Sequence, residues 1–100
     1  MNITEDQLQT SAAVLRNMGA TRVLLFGSCA VDPATARDVD LAVEGIPLCR
    51  LLEADVAVHD ILQVPTDLTS KEENAAFFKI IEGSSKTLYD ETAVGSTDRI

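Results

Sequence analysis

Between Val23 and Val43 the chain places two apolar runs, VLLF and VDLAV, on either side of a Gly27-Ser28 turn and a nine-residue spacer. Short runs rich in branched residues, bounded by Gly, Pro and Asp, read as strands. Four consecutive apolar residues in RVLLF (residues 22–26) mean a strand covered on both faces. The second run, over residues 38–44, alternates. Val39, Leu41 and Val43 point to one side, and Asp38, Asp40 and Ala42 to the other. A fold that accommodates both runs is a small sheet with helices packed on it.

That alternation puts Asp38 and Asp40 on one face with Cβ atoms about 6.5–7 Å apart. Two unit charges at that separation repel by about 2–3 kcal/mol at an effective dielectric near 20. In a chain already at net charge −8, a divalent cation between them would offset the cost. Mg²⁺ takes hard oxygen ligands, commonly one or two carboxylates plus phosphate and water. Gly27 and Ser28 suit the phosphates. Glycine lets an anion approach the backbone closely, the start of a helical turn points N–H groups outward, and the Ser28 hydroxyl adds a donor. A lone Gly-Ser turn or a lone Asp-x-Asp strand is ordinary. The combination, at this spacing, points to a nucleoside triphosphate and its metal.

The remaining chain fits a helical and stranded alternation. Residues 4–18 read as a helix with Thr4 as N-cap, Gln7 completing a capping box, and Gly19 at its end. Ser28 caps a short turn over Cys29 to Val31, broken at Asp32-Pro33. Gly45 to Pro47 turns into a helix over 48–59, with Leu48, Leu51, Leu52 and Val58 as its apolar surface. Residues 64–69 form a third short strand, which Pro65 confines to an edge or a start. Ser70 caps a last helix through Glu82, with Ala76, Phe77, Ile80 and Ile81 as its apolar face and Gly83 as its stop. Thr87 to Tyr89 is either a small strand or an extended packing segment. Residues 91–100 are polar and read as a flexible tail, which leaves one domain over residues 1–90. The fold class is α/β (or α+β): a small mixed sheet of three to four strands flanked by helices.

A third carboxylate would complete a two-metal arrangement. Asp67, in the third strand, is the candidate, as general base or as ligand of the ion that activates the attacking hydroxyl. Asp60 is the lesser alternative, and a plain surface aspartate the rival reading. Arg37 reads as solvated, His59 as a helix flank and Tyr89 as a packing residue. Cys29 has no neighbour in sequence to activate it. Cys29 and Cys49 form no metal-binding spacing. The acidic balance excludes direct nucleic-acid binding, which needs a basic face. No apolar run approaches the ~18–20 residues of a membrane span, and the N-terminus MNITEDQLQT lacks the basic and apolar blocks of a signal peptide. The expected location is cytoplasmic.

An apolar residue, Gly-Ser, a spacer, then Asp, apolar, Asp, apolar resembles the pattern of the DNA polymerase β-type nucleotidyltransferase superfamily. Here it is carried by Phe26, Gly27-Ser28, Asp38, Val39, Asp40 and Leu41. The chain is most similar to its minimal nucleotidyltransferases, and FFKIIEGSSKTLYD is similar to their closing segment; the resemblance spans residues 4–90. It implies a nucleotidyltransferase fold. It implies ATP as substrate and Mg²⁺, with Gly27 and Ser28 at the phosphates and Asp38, Asp40 and Asp67 as catalytic metal-binding acids. It also implies an antitoxin that transfers AMP to a tyrosine of a helical HEPN-domain toxin. The alternative is a catalytically weak module of the same fold that neutralises its partner by masking. A small-molecule nucleotidyltransferase ranks lower, since nothing supplies an additional substrate domain. A homodimer is compatible with the chain.

Overall fold

The computed structural model describes residues 3–32 and 37–92. In chain order the elements are α1 (Glu5–Asn17), β1 (Arg22–Phe26), α2 (Ser28–Val31), β2 (Val39–Glu44), α3 (Leu51–Leu62, entered through a 3₁₀ turn at Leu48–Arg50), β3 (Thr66–Ser70), α4 (Ala75–Glu82) and β4 (Lys86–Asp90). The strands form one mixed sheet in the order β3-β2-β1-β4. β1 runs antiparallel to both β2 and β4, and β2 parallel to β3.

Local chemistry explains the starts and stops. Thr4 accepts a hydrogen bond from the Gln7 amide at 3.1 Å, and the Thr4 amide donates to the Gln7 side chain at 2.9 Å, closing the expected capping box. α3 runs three residues beyond the expected 59. It ends where Gln63 takes a left-handed conformation (φ 59°) and its amide donates to the His59 carbonyl. A non-glycine residue in that role hides the boundary from the sequence. β3 begins just after Pro65, and it is an edge strand, as a proline at that point requires. α4 is capped by Asn74 and not by Ser70. Ser70 ends β3, and its hydroxyl serves a tight turn by accepting from the Glu72 amide. The segment 87–89 lies in a full strand, which adds a fourth member to the sheet.

The two faces of the sheet hold separate cores. Val23, Leu25, Val39, Leu41 and Val43 pack with Leu8, Leu15, Val58 and Leu62 of α1 and α3, beside Cys29 of α2. On the other face, Leu24 and Ala42 pack against Phe78 and Ile81 of α4, with Phe26 and Phe77 at the margin. Two expected helix faces are corrected here. In α4, Phe78 and Ile81 turn inward while Ala76 and Ile80 are exposed, because the helix starts at Ala75 and its phase follows from that start. In α3, Ala54, Val58 and Leu62 turn inward and leave Leu48 and Leu52 in solvent. No helix among the described residues is long and apolar enough to cross a membrane.

Candidate active site at the sheet edge

β1 delivers Phe26 to one end of the sheet, where Gly27 turns the chain with φ +74° into α2. That conformation is costly for any residue with a Cβ. There is a second reason for glycine: a Cβ at this position would run into Oδ2 of Asp40. The backbone of the turn and the Asp40 carboxylate are therefore in direct apposition. The side chain of Ser28 lies outside the described residues; its backbone opens α2.

Register sets the rest. Asp40 pairs with Phe26 across the antiparallel ladder and with Asp67 across the parallel one. Neighbouring strands lie about 4.8 Å apart, so the Asp40 and Asp67 side chains leave the same face side by side. Asp38 sits in the bend just before β2 and not in the strand, one residue short of expectation. It still acts on Asp40. The Asp40 carboxyl is raised above its ordinary value, first by partial burial and then by the charges of Asp38 and Asp67. The structure thus gathers Gly27, Asp38, Asp40 and Asp67 at one end of the sheet. Among the described residues, none of these three carboxylates forms an ion pair or hydrogen bond.

Would these residues suit a magnesium ion? The donors are hard oxygens, and their mutual repulsion is what a cation relieves. Among the described residues no three His, Cys, Asp or Glu side chains are gathered closely enough to hold a metal by themselves. The fit is accordingly to an ion that takes one or two carboxylates and completes its shell with phosphate and water. Asp38 and Asp40 would hold such an ion, with Asp67 beside them.

Two neighbours escaped the sequence reading. The half-buried carboxyl of Asp55 on α3 is raised by burial and then by Asp67, with His59 pulling it back. An antiparallel return of α3 along β3 is what brings it there, and periodicity alone does not reveal it. Lys86 begins β4 opposite Leu25, pairs with Glu5 at 3.5 Å and lowers the Cys29 thiol. That thiol is raised overall, by burial first and then by Asp38 and Asp40, which places the buried Cys29 within reach of the same field. His59 is exposed on α3. Tyr89 packs against the larger core with Arg16 over its ring at 5.8 Å, as a packing residue would.

A cavity of about 460 Å³ lies at the opposite end of the sheet, lined by Thr21, Arg22, Glu44, Lys71 and Glu82 among others. Both of its cations are paired, and Asp90 and Glu91 add further acids to the lining. Arg22 reaches Glu82 at 2.5 Å and Glu44 at 3.3 Å, and Lys71 reaches Glu44 at 3.3 Å. The Arg22 Nε–Glu44 approach is an ion pair without hydrogen-bond alignment.

Neither a protein-family model nor a curated protein sequence matches the chain. Solved structures do. The chain superposes on a crystal structure of the toxin–antitoxin pair MntA-HepT with TM-score 0.68 at 15% identity, covering 94% of this chain and 79% of that one. A mutant of that pair with two aspartates changed to glutamate gives TM-score 0.69 at 16% identity, over 83% and 72% of the two chains. A tyrosine-to-alanine mutant gives TM-score 0.69 at 16% identity, over 89% and 74%. At such identity the likeness establishes the fold. The four-stranded mixed sheet with flanking helices is the nucleotidyltransferase fold expected from the Gly-Ser and Asp-x-Asp pattern.

Proposed function

We propose that the chain is a Mg²⁺-dependent nucleotidyltransferase that moves AMP from ATP onto a hydroxyl, by preference a tyrosine, of a HEPN-type toxin. It thereby acts as an antitoxin in the cytoplasm. The observation that carries the reading is the apposition of Gly27 to Asp40, with Asp38 and Asp67 beside it and no ion pair to any of the three acids among the described residues. Support for the partner comes from the MntA-HepT pairs that share the fold.

In this reading the backbone at Gly27 and the start of α2 hold the phosphates, where a side chain would block them. Asp38 and Asp40 hold the metal, which when bound neutralises phosphate charge and lowers the pKa of the attacking hydroxyl. Asp67, adjacent to Asp40 on the next strand, accepts the proton released from the acceptor hydroxyl. The hydroxyl oxygen forms a bond to the α-phosphorus as the bond to the β-phosphate oxygen breaks. Pyrophosphate leaves and AMP stays on the acceptor. The test is incubation with ATP labelled in the α-phosphate, Mg²⁺ and the product of the adjacent gene. Label on that protein is expected; none from folded samples would defeat the enzymatic reading.

Masking is the second reading. It is favoured by the turn itself, where Cys29, Ala30 and Val31 follow Ser28 and supply no cation to grip a triphosphate. Neutralisation of the partner that survives Asp38→Asn with Asp40→Asn would select it.

A further inference from the structure

The outer side of α3 and of the 3₁₀ turn before it carries apolar residues that the protein's own core does not use. Leu48, Leu52 and Val56 are 53%, 76% and 56% exposed. Leu52 and Val56 lie one turn apart on α3, about 6 Å at 1.5 Å per residue, and Leu48 lies in the 3₁₀ turn that leads into the helix. The core-facing side of the same helix is fully supplied by Ala54, Val58 and Leu62. The other large exposed apolar residues, Val31 on α2 and Ile80 on α4, stand singly. An apolar line rimmed by charge is a mark of an interaction surface.

We infer that the line Leu48–Leu52–Val56 is the docking ridge for a basic, helical partner, which under the reading above is the toxin; the inference rests on that reading. The charge of the rim selects the occupant. Glu53 and Asp60 are exposed beside the line; Arg50 pairs with Glu53 at 3.4 Å, so the rim keeps a net negative charge through Asp60. Two copies of a chain at −8 would set acidic rims against each other, whereas a basic partner is drawn in. A ridge of residues spaced four apart fits the grooves of another helix. Direction supports the same occupant. α3 leads back to β3, and Asp55, next to Val56, lies within the field of Asp67. The ridge lies on the first half of α3, which runs from the end where β2 finishes toward the end where β3 begins beside Val39, so a helix laid along it points toward the carboxylates.

The experiment is calorimetric titration of the purified chain with the adjacent gene product, comparing wild type, Leu52→Asp with Val56→Asp, Asp38→Asn with Asp40→Asn, and Ile80→Asp. The ridge variant is expected to bind at least about 10-fold more weakly, with an unchanged melting temperature and an unchanged KM for ATP. The aspartate and Ile80 variants are expected to bind like wild type. Wild-type affinity in a folded ridge variant overturns the inference and leaves the antitoxin reading standing. Absence of binding by wild type itself removes both. A wild-type homodimer in analytical ultracentrifugation that the ridge variant dissolves assigns the line to a second copy, and also overturns the inference.

Discussion

The two ends of the sheet treat their acids in opposite ways. At the end where β1 begins and β2 finishes, Glu44 and Glu82 are shared between Arg22 and Lys71, and both cations also lie over the Phe78 ring, at 5.1 and 5.7 Å. At the other end, Asp38, Asp40 and Asp67 crowd together and none of them forms an ion pair among the described residues, while Lys86 at that end pairs with Glu5. The first end is arranged for stability, since both cations are paired with acids and the aromatic ring beneath adds to the attraction. The second gives up stability, since like charges are held together on a rigid ladder. Acids in that condition are ones that a bound cation would relieve, and that is the physical content of the proposal.

The comparison can be broken most decisively by Asp38→Asn with Asp40→Asn. Outer-shell changes at metal sites cost about 10–100-fold, so replacing both direct ligands should lower label transfer by more than about 100-fold. The melting temperature should not fall. Loss of folding instead would mean that these acids serve the scaffold. Next in size is Arg22→Ala at the other end. It leaves Glu82 without its cation and removes a cation–π contact, at a cost of about 1–2 kcal/mol. That corresponds to a melting temperature lower by roughly 5–10 °C, with label transfer unchanged. An activity loss without destabilisation would merge the two ends functionally.

Gly27→Ala should cost about 1–2 kcal/mol from its left-handed backbone alone. It should also displace the Asp40 carboxylate, and so reduce transfer more than Arg22→Ala does at equal stability. The smallest effect sharpens the contrast through pH. Asp40 is raised above 3.8 in the folded state. The folded protein therefore keeps a proton that the unfolded chain releases, and this residue's contribution to stability falls as pH rises through the window above 3.8. Asp40→Asn should melt higher than wild type at pH 7, and the advantage should vanish below about pH 3. A lower melting temperature at pH 7 would show that the carboxylate is stabilised by a counter-charge.

Much of this was legible from residues alone. β1 falls on 22–26 as its apolar run requires, and the Thr4–Gln7 box fixes the start of α1. The alternation over residues 38–44 sends Val39, Leu41 and Val43 to the larger core. The grouping of Gly27 with Asp38 and Asp40 at one end of the sheet was legible because the glycine and the two acids sit close in sequence. What escaped depends on tertiary placement. Ser70 and Asn74 are both sound caps, and only the turn between them decides that Asn74 is used. β4 is a short edge segment with exposed Lys86 and Thr87, so it carries little alternation to read. Apolar residues of α3 and α4 outnumber the inward positions, and helical phase alone could not say which would be left outside. The tail expected at 91–100 falls at positions 93–100 outside the described residues.

The pairing of Asp40 with Asp67 is written in main-chain hydrogen bonds, so the spacing of the second and third acids is independent of how either side chain packs. One residue inserted between Leu62 and Thr66 would slip that ladder by a single step. Thr66 would then take the place of Asp67 beside Asp40, and Asp67 would be pressed into the hydrocarbon beneath α3 in the place of Leu68. The length of this three-residue connection thus fixes which residue stands beside Asp40.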